Sequence, residues 1–104
     1  MEIVLVDMFS VPNDKKSAFL EQTNIARNVV KALPGFVEGH TYEMQDTDEQ
    51  FNILTVVVWQ DKTAYENARM MVAEEYQRRG FNPLKTVQEM GINMIRATYK
   101  RVAY

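Results

Sequence analysis

Two stretches decide the fold: Glu2-Ile3-Val4-Leu5-Val6-Asp7-Met8-Phe9-Ser10-Val11 and Phe51-Asn52-Ile53-Leu54-Thr55-Val56-Val57-Val58-Trp59. A strand with one wet face alternates apolar with polar residues. These do not. In the first, Ile3, Leu5, Phe9 and Val11 share one side while Val4, Val6 and Met8 share the other. In the second, Phe51, Ile53, Val57 and Trp59 oppose Leu54, Val56 and Val58. Both therefore read as strands of a sheet that is apolar on both faces. The chain carries only two substantial helical stretches, enough to cover one of them. A second copy of the chain is the expected cover for the other, so a homodimer is predicted.

Around these strands the remaining elements fall into order. Pro12, Asn13 and Asp14 end the first strand, and Asn13 is expected to cap a helix running to about Leu33. Its apolar stripe is Phe19, Ala26, Val29, Val30 and Leu33, with Ile25 at the edge. Pro34-Gly35 stops it. A second strand is expected from Phe36 to about Met44. An acidic turn at Gln45–Gln50, carrying Asp46, Asp48 and Glu49, joins it to the Phe51–Trp59 strand as a hairpin. Asp61 should cap a helix with apolar positions Ala64, Tyr65, Ala68, Met71, Val72 and Tyr76, with Arg78 and Arg79 in the last turn and Gly80 beyond it. Asn82-Pro83 opens a short helix closed by Gly91. A last strand runs from Ile92 to about Val102. The order β-α-β-β-α-(α)-β predicts an α+β, ferredoxin-like four-stranded antiparallel sheet with helices on one face.

At 104 residues the chain has the length of one domain, residues 1–104. It has no cysteine, hence no disulfide framework, thiol nucleophile or thiolate metal site. A single histidine, His40, excludes multi-histidine metal sites. A net charge of -2 with scattered basic residues argues against nucleic acid as a partner. No apolar run nears the ~20 residues of a membrane span, and no secretory leader pattern is present, so a cytoplasmic location is expected. No flavin, nicotinamide or metal motif is visible, and no cofactor is expected.

Asp7 is the residue that breaks the pattern, a carboxylate midway along an apolar side. It reads either as a general base or substrate-orienting group in an apolar pocket, or as half of a structural ion pair. Arg96 is the natural partner, since the last strand lies beside the first in this topology, and one pair could serve both roles. His40 is a further candidate for proton transfer, against the alternative of a surface or interface residue. Trp59 reads as an aromatic wedge between helix and sheet. Phe9, Trp59, Tyr65, Met71 and Tyr76 could line a pocket for a small apolar or aromatic ligand, or simply pack the core.

The chain resembles the antibiotic biosynthesis monooxygenase family of dimeric α+β barrel proteins. The carriers are the opening strand into Val11-Pro12, the Leu33-Pro34-Gly35-Phe36 turn, Tyr42-Glu43-Met44, and Trp59-Gln60-Asp61-Lys62-Thr63-Ala64-Tyr65. The resemblance implies a homodimer with a cavity between each sheet and its helices, and places Asp7 on the helix side. It also implies oxidation of a phenol or quinol without metal or flavin, the substrate itself reducing oxygen. Asp7, Arg96 and His40 would then be the candidate catalytic residues. The haem-degrading branch uses an asparagine in the first strand and a tryptophan and a histidine on the second long helix. The matching places here hold Asp7, Ala68 and approximately Arg78, so haem cleavage by that route is not expected. A non-catalytic ligand-binding or structural module, and an isomerase or decarboxylating enzyme in the same pocket, are the alternatives.

Overall fold

The computed structural model describes residues 1–47 and 49–104. Four strands, β1 (Ile3–Ser10), β2 (Phe36–Glu43), β3 (Ile53–Trp59) and β4 (Asn93–Tyr99), form one antiparallel sheet in the order β2-β3-β1-β4. Helices α1 (Lys16–Val30), α2 (Lys62–Arg79) and α3 (Pro83–Glu89) complete the ferredoxin-like fold. None of the described helices is long and apolar enough to cross a membrane.

The stop signals act where the sequence puts them, with two exceptions at α1. Asp61 Oδ1 accepts the Ala64 N–H at 2.8 Å, and Asn82 Oδ1 accepts the Lys85 N–H at 3.1 Å with Pro83 in the first helical turn. Gly80 and Gly91 take left-handed backbone at the ends of α2 and α3. Asn13, by contrast, is not a cap. Pro12 precedes a single 3-10 turn, Asn13–Lys15, and α1 begins only at Lys16 with no side-chain cap. Pro12 takes the flanking position, and Asn13 opens the 3-10 turn instead of capping α1, whose flanking residue is Lys15. At the other end α1 stops at Val30, and residues 31–35 form turns rather than a last helical turn.

The expected acidic turn is exposed wherever it is described, and Asp48 lies outside the described residues. Phe51 belongs to this connection rather than to β3, and its φ of 56° is left-handed. A staple holds that conformation. Phe51 N–H donates to Ser10 Oγ at 2.8 Å, Val11 N–H donates to Asn52 Oδ1 at 2.9 Å, and Asn52 Nδ2 donates to the Val11 carbonyl at 2.9 Å. Asn52 is buried, so these bonds satisfy backbone groups just past the end of β1.

Strand register sorts the side chains into two faces. On the inner face Asp7 pairs with Arg96 on one side and Thr55 on the other, and Thr55 pairs with Thr41. Leu5, Val57, Phe9, Ile53 and Met94 share that face. Val4, Val6, Met8, Leu54, Val56, Ile95, Ala97 and Tyr99 occupy the other, so both faces are apolar as expected. The helices cover one only: Ile95 remains 47% exposed and Tyr99 51%.

The inner core gathers at the two ends of the sheet. At one end Phe9, Val11, Phe19, Ile53, Val87 and Ile92 pack together, with the Phe9 and Phe19 rings 4.7 Å apart. At the other, Phe36 meets Trp59 edge-on at 5.9 Å. There Gly35, at φ +83°, lies so close to α2 that an added Cβ would stand 2.4 Å from Ala64 Cβ. Gly35→Ala combines left-handed strain with that overlap and should cost about 2–4 kcal/mol, read as a lowered midpoint in urea unfolding.

Candidate functional site

Between the two packed ends, the inner sheet face and the helices enclose a cavity of about 580 Å³. The aromatic side chains Phe9, Phe19, Trp59, Tyr65 and Tyr76 line it, with Met90 and Met94. Across its floor runs the polar row Arg96, Asp7, Thr55 and Thr41, one residue from each strand in register.

The centre of that row is an ion pair. Arg96 Nε donates to Asp7 Oδ1 at 2.7 Å, and Arg96 Nη2 donates to Asp7 Oδ2 at 2.9 Å. Two parallel charge-assisted bonds of this kind fix both side chains. Asp7 is only 7% exposed, whereas about half of the Arg96 side chain is accessible. The hydrogen bond to Asp7 raises the Arg96 pKa above its ordinary value, so the guanidinium stays charged.

Tyr76 stands close enough to feel this pair. Burial is the main cause that pushes its phenol above the ordinary range, opposed by Arg96 and Arg79. It therefore stays protonated around neutral pH and remains an O–H donor. Two further buried atoms on lining residues, Gln22 Oε1 and Trp59 Nε1, have no hydrogen-bond partner among the described residues. An unpartnered buried donor and acceptor are uncommon enough to require a reason, and a ligand is one.

The structure brings Asp7, Arg96, Phe9, Trp59, Tyr65 and Tyr76 together around one cavity. It moves two other expected residues away. His40 borders the cavity through its strand, but its cross-strand partner is Val56 of the outer face. Its ring lies 6.1 Å from that of Tyr42, and Nε2 is 3.6 Å from Glu38. A register irregularity between Phe36 and Glu38 is the cause: Phe36 faces inward, and the alternation expected from it is displaced by one residue. Met71 does not line the cavity. It is 41% exposed and borders a shallower depression beside Gly35 and Asp61, with the still more exposed Met70.

Among the lining groups that escaped the sequence reading are Thr55, Arg27 and Arg69. Thr55 is the gap in the inward set of β3, directly opposite Asp7. Arg27 shares a helical face with Thr23, Ala26 and Val30, and Arg69 one with Tyr65, Val72 and Tyr76. The i, i+4 spacing was the available signal, hidden because arginine is ordinarily assigned to solvent. Among the described residues, no three His, Cys, Asp or Glu side chains cluster as a metal site requires.

The fold has counterparts. A family model described as antibiotic biosynthesis monooxygenase matches residues 2–77. SnoaB, a cofactor-independent oxygenase from Streptomyces nogalater, superposes with a TM-score of 0.73 at 15% identity, over 99% of this chain and 95% of that one. Rv0793 from Mycobacterium tuberculosis gives 0.74 at 13% identity, over 100% and 98%. A conserved protein from Methanosarcina mazei gives 0.74 at 14%, over 98% and 94%. No curated protein sequence matches the chain.

Tyr76 leaves a signature at high pH. Below about pH 10 the folded and unfolded phenols are both protonated, and stability does not depend on this group. Above it the unfolded chain loses its proton first, because the folded pKa is raised. Stability therefore falls as pH climbs toward the folded value. Urea unfolding at pH 9 and 11 should show a smaller loss in Tyr76→Phe than in the native chain.

Proposed function

This chain belongs to the antibiotic biosynthesis monooxygenase family, and from that membership we propose that it is a cofactor-independent monooxygenase acting on a small phenol or quinol. The observation that supports the reading most is the Asp7–Arg96 pair on the floor of an aromatic-walled cavity. SnoaB, its structural neighbour, is a cofactor-independent oxygenase, which agrees with this chemistry.

In this reading the aromatic substrate lies among Phe9, Trp59, Tyr65 and Tyr76. Its hydroxyl hydrogen-bonds Asp7, each of whose oxygens retains a lone pair beyond the Arg96 bond. Asp7 takes the phenolic proton, and the Arg96 cation stabilises the phenolate. The phenolate is the reductant. It gives one electron to oxygen, a C–O bond forms at a ring carbon, the O–O bond breaks, and the second oxygen leaves as water. The substrate gains one oxygen and loses two hydrogens, so no external reductant is consumed. The remaining work of the protein is positioning and exclusion of water. His40, with its ring on the outer face, has no step here.

Asp7→Asn keeps the shape of the side chain and removes the base. Oxygen uptake with a panel of naphthols and quinols should fall by about 100-fold or more. Equal rates in the two proteins would remove Asp7 from the chemistry. Ligand-induced stabilisation without oxygen uptake would instead identify a binding module, and turnover that persists without oxygen would identify an isomerase.

We further propose that a second copy of the chain covers the outer sheet face. The native protein should sediment as a dimer, and Val56→Lys, which puts a charge in the middle of that face, should sediment as a folded monomer.

A further inference from the structure

The charges around the cavity do not balance. Its lining holds Arg27, Arg69 and Arg96 against one carboxylate, Asp7. Asp7 is taken by Arg96. That leaves Arg27 and Arg69, both solvent-exposed residues on the cavity lining, with no carboxylate within 4.0 Å among the described residues, in a chain whose net charge is -2.

The two are placed from different helices. Arg27, in the last turn of α1, donates Nε to the Gly39 carbonyl at 3.1 Å, which anchors the side chain and leaves both terminal nitrogens without an acceptor among the described residues. The helix dipole accounts for a cation at this end of α1 but not for one that lines the cavity. Arg69, from α2, lies 5.8 Å from the centre of the Tyr65 ring, which also lines the cavity. That stacking orients a planar group without consuming its donors. Elsewhere on α2 the arginines are spent: Arg78 and Arg79 both bind Glu75, whose pKa is lowered to about 2 by those bonds.

We propose that the cavity selects aromatic ligands bearing a carboxylate, and that Arg27 and Arg69 receive that group. A guanidinium presents paired N–H donors that match the two oxygens of a carboxylate, and both groups stand over an apolar space wide enough for a fused-ring body. The assignment deepens the reading given above and rests on it for the identity of the site. Arg27 and Arg69 set which acid enters, while Asp7 and Arg96 meet the reacting end.

The test uses two probes of equal shape, 2-naphthoate and 2-naphthamide, titrated calorimetrically at pH 7.5 and low salt. Native protein should bind the acid at least about tenfold more tightly than the amide, and 0.5 M salt should weaken only the acid. The Arg27→Gln/Arg69→Gln protein, checked for folding by its thermal transition, should bind both probes alike. Arg78→Gln, at an arginine outside the cavity, should keep the preference. Equal binding of acid and amide by native protein, no binding of either, or a preference that survives the double substitution overturns the proposal. Neither probe is a phenol, so these outcomes are independent of oxygen chemistry. A quinol panel that consumes no oxygen defeats the monooxygenase reading while leaving a measured carboxylate preference in place.

Discussion

The polar row Arg96–Asp7–Thr55–Thr41 is the constraint around which the protein is arranged. A helix packs on a sheet by burying apolar side chains against it, and this row offers none. Helices and sheet therefore meet at the two ends, through Phe9, Phe19, Ile53 and Val87 on one side and through Trp59, Phe36, Gly35 and Ala64 on the other. The space between is left as a cavity rather than filled as core. The close approach at Gly35 and the Asn52 staple hold the ends, and the open middle follows from the four residues that cannot close it.

Much of this was legible in the chain. Two-sided apolar strands and paired stop signals suffice for the topology, because caps at Asp61 and Asn82 and left-handed glycines at 35, 80 and 91 are local chemistry that each element reads from its own neighbours. Asp7 and Arg96 were recoverable because a carboxylate on an apolar side needs a partner and antiparallel order supplies one. What escaped was not local. The irregularity between Phe36 and Glu38 carries no composition signal, yet it turns the His40 ring to the other face of the sheet. The amphipathic stripe of α2 is shallow, with small residues such as Ala68 and Ala73 facing inward, so the apolar Met71 was mistaken for a pocket residue while the polar Arg69 held that place. A helix facing a cavity is under no pressure to be apolar, and reading it as though it faced a core inverts both assignments.

In the proposed reading, electrostatics separates the two ends of the cavity in a way that burial alone does not. The Asp7–Arg96 unit is neutral as a pair and strongly dipolar, suited to a group whose charge changes during reaction. Arg27 and Arg69 form a fixed positive field, suited to a group whose charge does not change. Both are solvent-exposed, so salt screens that field more than it screens the buried Asp7 carboxylate.

Stability gives no account of the central pair. A carboxylate placed 7% exposed on the face of Leu5, Phe9 and Val57 gives up hydration, and apolar residues often pack as stably as an ion pair with a buried member. Removing Arg96 alone would leave the buried Asp7 carboxylate without its partner, whereas Arg96, about half accessible, would keep much of its hydration if Asp7 were replaced. What the two charges do supply is a polar, pre-aligned floor beneath an open space. The cavity and the ion pair share one set of residues: the row that contains the pair is also the floor of the open space above it.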